Sequence, residues 1–322
     1  MWDRASVPRP MKPRNTYKNS KKGWRDVKTH LEFISPNGLL QKARKERYAV
    51  PGFLAHPPNF EHVSSILEAA GEADSPVILQ ANEEGFKYAG LEYFVATSKV
   101  LAREVSVPVV LHLDHGSSFE LAMKCIYSGF SSVMIDGSSL PFEKNIEFTR
   151  RVVQAAHAME VPVEAELGEL PGQWQRGVWK QETMDSTKQA SDTLMTTPDD
   201  AARFCEQTGA DALAISVGTG HGVEAKIDFD RLREIAKRVD AFLVLHGGSG
   251  VPDDALKKSI ETGINKVTYW TAMRKAFVDG VKSAMTRTPR DVYPVDILTS
   301  GTARMKHVME HCITICGSSG KA

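Results

Sequence analysis

A pattern of one strand followed by one helix repeats eight times along the chain, from residue 48 to residue 285. The predicted strands, at 48–55, 76–81, 107–114, 132–136, 163–167, 212–217, 242–246 and 266–270, are short and largely apolar, as strands covered on both faces are. Apolar residues at helical spacing follow each strand, at 61–73, 91–105, 119–128, 143–159, 199–208, 228–239, 253–262 and 273–285. Eight such units in succession predict an α/β protein folded as a single closed (β/α)8 barrel, the TIM barrel.

An open, doubly wound sheet is the alternative architecture for alternating strands and helices. Dinucleotide-binding sheets of that kind carry G-x-G-x-x-G after their first strand, whereas residues 56–61 here read HPPNFE. The closed barrel is therefore the preferred prediction. It also predicts where chemistry occurs, because barrel enzymes gather their catalytic groups at the carboxyl ends of the strands.

Composition excludes several classes of partner. The chain has 322 residues with 40 basic and 40 acidic side chains, and a net charge of zero argues against nucleic acid or an anionic membrane. Its apolar runs fall well short of the roughly 20 residues that span a bilayer. Its four cysteines form no C-x-x-C pair, so reduced thiols and a cytoplasmic location are the simplest prediction.

Two segments interrupt the regular pattern. Residues 1–35 are rich in lysine and arginine and poor in acids, and we predict a disordered or surface-draped extension ahead of a barrel at 36–322. Organelle targeting by this basic segment is the less favoured alternative. Residues 168–197 form a long stretch rich in Gly, Gln, Trp and Thr after the fifth strand, which is typical of an active-site loop.

Three histidines stand at the carboxyl ends of predicted strands. His115 follows Asp114 at the end of the third strand, His221 follows the sixth strand, and His246 ends the seventh. An ordinary structural role explains any one of them, but three at one mouth of a barrel predict a catalytic Zn²⁺ site. Carboxylates end the neighbouring strands at Asp136, Glu164 and Glu166.

A glycine follows each of these histidines, and after two of them the turn could hold an anion. Gly222 follows His221, and Gly247-Gly248-Ser249-Gly250 follows His246. Glycine lets backbone N–H groups approach an anion closely, and a following helix start adds a favourable field. Tight turns also need glycine, so it is the neighbouring metal that makes a phosphate site the better interpretation.

Several linked motifs occur in an order typical of one enzyme family. They are KYAGLEY (87–93), HLDHG, VEAELG, GTGHG, VLHGGSGVPDD and the closing ICGSSGKA. On these motifs the chain resembles the class II fructose-bisphosphate and tagatose-bisphosphate aldolases, from about residue 36 to the C-terminus.

The resemblance implies a metal-dependent aldehyde-lyase. His115, His221 and His246 match the three histidines that hold a divalent metal, usually Zn²⁺, although the same ligands accept Co²⁺ or Mn²⁺. In the family the metal stabilises the enediolate of dihydroxyacetone phosphate. Asp114 matches the acid that protonates the aldehyde-derived oxygen, and the alternative is that it only orients a histidine.

Further positions carry implied roles. Asp136 and Glu166 match residues that hold the metal at an alternative, buried location. Gly222, Gly247 and Ser249, with the adjoining Gly248, match a cradle for one phosphate that has Na⁺ or K⁺ nearby. The family also implies a small ketose phosphate as substrate, a place in carbohydrate metabolism and a homodimer or homotetramer.

The segments that contact substrate depart from the family. An Asn-x-(Asp/Ala)-Thr run is replaced by Thr268-Tyr269-Trp270-Thr271, where we predict substrate contacts with at least one aromatic ring facing the mouth. Phe-Asn-x-Asn after the first strand is replaced by FLAH at 53–56, and Asn82 stands where a serine is usual.

The segment that matches the catalytic loop of the family also departs from it. The family carries Gly-Gly-x-Glu-Asp there, whereas residues 171–176 read PGQWQR. Glu182 is the predicted replacement base, and Glu169 is the next candidate.

These observations favour an aldolase that keeps the metal and the proton donor but acts on a substrate other than fructose 1,6-bisphosphate. An ordinary fructose- or tagatose-bisphosphate aldolase is the main alternative. A catalytically weakened homologue that binds a metabolite is the second.

Overall fold

The computed structural model describes residues 33–170, 174–175, 178–179, 194–220, 225–287 and 293–322. They belong to one compact unit that spans residues 32–322. Within the described ranges, no helix has both the length and the apolar character needed to cross a membrane.

Eight parallel strands close into a barrel. In chain order the strands are β1 (Val50–Leu54), β2 (Val77–Ala81), β3 (Val109–Gly116), β4 (Ser132–Ile135), β5 (Val163–Leu167), β6 (Trp174–Gln175), β7 (Val178–Trp179), β8 (Ala212–Ile215), β9 (Phe242–Leu245) and β10 (Ile264–Tyr269). All except β6 and β7, which pair only with each other, form the barrel in the order β1-β2-β3-β4-β5-β8-β9-β10, and β10 pairs back with β1. The predicted TIM barrel is confirmed.

The helices follow the strands as the pattern predicts. They are α1 (Pro36–Glu46), α2 (Phe60–Glu72), α3 (Glu83–Ala89), α4 (Leu91–Ala102), α5 (Phe119–Ser128), α6 (Phe142–His157), α7 (Pro198–Thr208), α8 (Phe229–Arg238), α9 (Asp253–Thr262), α10 (Thr271–Arg287) and α11 (Pro294–Ile315). The predicted bounds of α5, α9 and β5 agree with the structure, and the other predicted elements differ by a few residues at their ends.

Three helices were not predicted. Helix α1 buries Leu39, Leu40 and Ala43 in a cluster with Val50 and Ile78 of the barrel strands. Helix α3 has only seven residues, too few to show a helical period. Helix α11 packs against α10 and α2 after the last strand–helix unit, so the repeat did not include it.

Polar side chains fill part of the barrel interior. Lys266 on β10 reaches Glu164 on β5 and His112 on β3, although these strands are not neighbours in the sheet. Gly52 on β1 makes room for this layer, because a Cβ atom there would lie 1.9 Å from Oε1 of Gln80. The site described next is built on this layer.

Candidate metal and substrate site

A cavity opens at the carboxyl ends of five adjoining strands, β9, β10, β1, β2 and β3. Its lining residues are Leu54, His56, Asn82, Asp114, His115, Gly247, Ser249, Thr268, Trp270 and Thr271. This is the end of the barrel at which the fold holds catalytic groups. Most of the predicted site residues within the described ranges therefore share one cavity.

An irregular end to strand β3 turns two consecutive side chains toward this cavity. The strand was predicted to stop at Asp114 but runs to Gly116, and its register shifts between Leu113 and Gly116. His115 has a left-handed backbone, with φ 46°. Consecutive side chains of a regular strand face opposite sides, so this bulge lets both Asp114 and His115 reach the site.

Two of the predicted metal ligands lie side by side. The rings of His115 and His246 have centroids 4.7 Å apart and stand edge to face. Both residues are buried, and ligand atoms of Asp114, His115 and His246 lie within 4.8 Å of one another. The donor types and their spacing fit a bound divalent metal.

A second group of possible ligands lies on the other side of His115. Nδ1 of His115 is 2.8 Å from Oδ2 of Asp136 and 3.4 Å from Oε2 of Glu166, and the three residues form a compact cluster. Ser138 donates hydrogen bonds to Asp136 from its N–H and its hydroxyl. Oε2 of Glu166 is buried and accepts no hydrogen bond from the described residues, as expected of an oxygen suited to a cation.

Acidic groups outnumber basic groups around His115. Burial opposes the charged form of His115, but Asp114, Asp136 and Glu166 outweigh it and raise the pKa of His115 to about 10. Burial and then the charge of Asp136 raise the pKa of Glu166 well above its usual value. Three carboxyl groups thus surround one imidazole, and a divalent cation would neutralise the excess of negative charge.

Glu164 holds His246 in place from the barrel interior. Oε1 of Glu164 lies 3.0 Å from Nε2 of His246, and Oε2 accepts from Nζ of Lys266 at 2.6 Å. With Nε2 donating to Glu164, Nδ1 of His246 carries the lone pair that a metal needs. Burial raises the pKa of Glu164, but the charge of Lys266 and the hydrogen bond from His246 lower it overall.

Lys266 is therefore expected to be essential for stability. The variant Lys266→Met leaves the buried carboxylate of Glu164 without its cation, which typically costs about 3–5 kcal/mol. The free energy of unfolding in urea measures this loss. The double variant Glu164→Gln/Lys266→Met removes both charges and should recover most of it; equal losses in the two variants would contradict this explanation.

Asp114 is oriented by an amide. Nε2 of Gln80 donates to Oδ1 of Asp114 at 2.7 Å, and Oε1 of Gln80 accepts from the hydroxyl of Thr268 at 3.3 Å. Asp114 is 3% exposed and lines the cavity beside His115. This position is compatible both with proton transfer and with support of a histidine ligand.

Two residues of the turn after β9, Gly247 and Ser249, line the cavity. Gly247 has φ 73°, and a Cβ atom there would lie 2.6 Å from the carbonyl oxygen of Gly220, so only glycine fits. Ser249 lies in the short 3₁₀ turn that follows, and Thr271 is the first residue of α10. Gly247, Ser249 and Thr271 all line the cavity, and this combination suits a phosphate.

One predicted substrate contact is wrong. Tyr269 is 2% exposed, packs on Phe53 and places its hydroxyl 3.3 Å from Sγ of Cys316, because side chains alternate along β10 and this one faces the helices. Gly248 is buried against Val267 and is not among the residues that line the cavity, so its contact with phosphate stays a prediction. Trp270, just beyond the strand, is the aromatic residue that faces the mouth.

Some predicted residues cannot be compared with the structure. His221, Gly222 and Glu182 lie outside the described residues, so the third metal ligand, part of the phosphate cradle and the replacement base remain predictions. Glu169 is described and exposed, and it does not line this cavity.

Several residues of the site were not singled out from the sequence. His56 lines the cavity, and Lys266 and Gln80 support its other residues. The sequence could have indicated the last two, because a lysine and a glutamine stand within otherwise apolar strand segments. Such residues are seldom buried without a partner.

Comparison with known proteins agrees with this geometry. A family model described as fructose-bisphosphate aldolase class-II matches residues 35–321. The YdjI aldolase from Escherichia coli K12 is 30% identical with a TM-score of 0.77, and the match covers 90% of this chain and 99% of that one.

Two further solved structures are similar. A putative fructose-1,6-bisphosphate aldolase from Coccidioides immitis is 29% identical with a TM-score of 0.77, covering 88% of this chain and 96% of that one. A fructose-bisphosphate aldolase from Campylobacter jejuni is 24% identical with a TM-score of 0.74, covering 90% and 97%, and this likeness supports the fold.

Proposed function

Because the chain belongs to the class II fructose-bisphosphate aldolase family, we propose that it is a metal-dependent aldolase that cleaves or forms a C–C bond in a ketose phosphate. The observation that carries this proposal is the buried cluster of Asp114, His115 and His246, two members of which, Asp114 and His115, line the cavity at the carboxyl end of the barrel. Zn²⁺ is the proposed ion, with Co²⁺ or Mn²⁺ as alternatives.

The metal would be held by His115, His246 and the predicted third ligand His221. Asp136 and Glu166 would offer a second, deeper position, since both lie close to His115. A divalent ion bound here supplies Lewis-acid stabilisation of negative charge on the substrate oxygens. The protein's own part is to orient the ligands through Glu164 and to keep the site buried.

Asp114 is the proposed proton carrier. In the direction of aldol cleavage, it would accept the proton of the hydroxyl group on the carbon that becomes the aldehyde. In the direction of aldol addition, it would return that proton to the oxygen. Gly247, Ser249 and Thr271 would hold the phosphate of the ketose, with Gly222 and an alkali cation nearby. Asn82 and Thr268 line the remaining wall and are proposed to contact the sugar.

The proton on the donor carbon needs a base, and Glu182 is the proposed one. We expect Glu182→Gln to stop hydrogen–deuterium exchange at that carbon of dihydroxyacetone phosphate while leaving its affinity nearly unchanged. Exchange is followed by NMR in D₂O, and Glu169→Gln tests the next candidate in the same measurement. Normal exchange in Glu182→Gln would remove Glu182 from the mechanism.

The substrate is proposed to differ from fructose 1,6-bisphosphate. Thr268 replaces an amide that contacts substrate in the family, Leu54 replaces another polar group, and each buried polar group left unpaired costs roughly 1–3 kcal/mol. The combined loss is expected to be about 10²–10⁴-fold in kcat/KM. A kcat/KM of about 10⁴ M⁻¹s⁻¹ or more for this ketose would contradict the proposal.

Cleavage rates over a panel of ketose phosphates, with and without EDTA, test the function as a whole. Metal-dependent turnover of another ketose supports the proposal, and efficient turnover of fructose or tagatose bisphosphate supports an ordinary aldolase. Metal and ligand binding without turnover would indicate a weakened homologue. The basic extension at 1–35, a homo-oligomeric state and a cytoplasmic location stay predictions from the sequence.

A further inference from the structure

The order of the strands divides the cavity into two parts. The phosphate cradle lies after β9 and at the start of α10, whereas Asp114 lies on β3. Strands β1 and β2 stand between β10 and β3 on the barrel, so their ends form the wall that adjoins Asp114. If Asp114 serves the oxygen of the aldehyde carbon, the rest of the aldehyde lies against this wall.

Apolar and ring surfaces build this part of the cavity together with the amide of Asn82, which lies just after β2. Leu54, at the end of β1, is 5% exposed and lines the cavity directly. The ring of His56 meets the ring of Trp270 edge to face, with centroids 5.6 Å apart. We call Leu54, His56 and Trp270 the acceptor wall.

Among the described residues, the charges near the acceptor wall do not suit a second phosphate. Burial lowers the pKa of His56, although Glu84 and a hydrogen bond with Asn82 oppose this, so burial favours the uncharged ring. The guanidinium of Arg274 lies over the ring of Trp270, 5.2 Å from its centre, and Arg274 does not line the cavity. A phosphate on this wall would be buried near the carboxylate of Asp114, and the described residues that line the cavity include no lysine or arginine to balance its charge.

We propose that the acceptor wall binds an uncharged, largely apolar aldehyde, and that the ketose made or cleaved here carries a single phosphate, at its donor end. This inference rests on the proposed aldolase function. The addition balances without a further reactant: the donor carbon of dihydroxyacetone phosphate loses a proton and bonds to the aldehyde carbon, and the aldehyde oxygen gains a proton.

The test compares acceptors with the zinc-loaded enzyme and dihydroxyacetone phosphate. Rates of addition are measured for butanal and for glyceraldehyde 3-phosphate, beside hydrogen–deuterium exchange of dihydroxyacetone phosphate alone. We expect kcat/KM for butanal to exceed that for glyceraldehyde 3-phosphate by about tenfold or more, the discrimination typical of one well-fitted apolar contact.

Variants then show which residues cause the preference for butanal over glyceraldehyde 3-phosphate. Leu54→Asn introduces the residue type that the family has here, and it should lower the ratio of the two kcat/KM values about tenfold or more. Leu54→Met keeps an apolar side chain and should retain the ratio, as should the control Val100→Asn on the exposed face of α4. His56→Phe, which keeps a ring against Trp270, should retain more of the ratio than His56→Asn.

The outcomes separate this inference from the proposed function. Absence of EDTA-sensitive exchange would overturn the proposed function itself. Two outcomes with normal exchange would overturn only the proposal about the acceptor wall. One is a kcat/KM for glyceraldehyde 3-phosphate that equals or exceeds that for butanal, and the other is no reaction with butanal. An unchanged ratio in Leu54→Asn would also overturn it, whatever the wild-type preference.

Discussion

Replacement of His246 by alanine is expected to reduce aldol cleavage by at least about 10³-fold, because Lewis-acid stabilisation of charge is worth several kcal/mol. His246 has no exposed surface, and its Nε2 is engaged by Glu164, so Nδ1 is the nitrogen available to a metal. The same variant should lose most of its bound zinc. Metal content after dialysis and the rate of cleavage are measured on the same preparation.

A fold control accompanies this variant. His112 is also a buried histidine of the barrel interior, but it bonds to Ser132 and Lys266 and belongs to neither group of possible metal ligands. His112→Gln should therefore keep its bound metal. Full metal content and activity in His246→Ala would show that this histidine is structural, and metal loss in His112→Gln but not in His246→Ala would place the ion elsewhere.

The barrel could be predicted because its signal repeats. Each strand is a short apolar run, and in each helix the apolar residues recur about every 3.6 residues. Eight repeats of this pair are compatible with few architectures. Helix α11 lies outside the repeat, and it was missed for that reason.

The sequence predicted that the candidate metal ligands lie at one end of the barrel, but it did not predict their geometry. Alternation on a regular strand would send Asp114 and His115 to opposite faces, and only the bulge in β3 brings both to the cavity. The same alternation, applied to β10, would have placed Thr268 and Trp270 at the cavity and Tyr269 on the opposite face.

The contact between Lys266 and Glu164, which supports the site, could not be predicted from the spacing of these residues along the chain. Lys266 and Glu164 lie 102 positions apart, and their strands are not adjacent in the barrel. Their contact crosses the barrel interior, so it depends on the closure of the sheet and not on local sequence.

The variant Asp114→Asn is expected to keep the fold and the metal while lowering the cleavage rate about 10²–10⁴-fold, the usual effect of losing a general acid–base group. The amide has the shape of the carboxylate, and its oxygen can still accept the hydrogen bond that Nε2 of Gln80 donates. It cannot take up and return the hydroxyl proton of the substrate. The rate of cleavage, the zinc content and the thermal midpoint are measured together.

The matched control for Asp114→Asn is Gln80→Met. Gln80 lies next to Asp114 but does not line the cavity, so this replacement removes the hydrogen bond without adding a charge or removing the proposed acid. If Asp114 carries the proton, Asp114→Asn should be impaired much more in cleavage than in zinc binding, whereas Gln80→Met should show a smaller kinetic effect. If Asp114 only orients His115, zinc affinity and cleavage should fall together in Asp114→Asn, and an unchanged cleavage rate would exclude both roles.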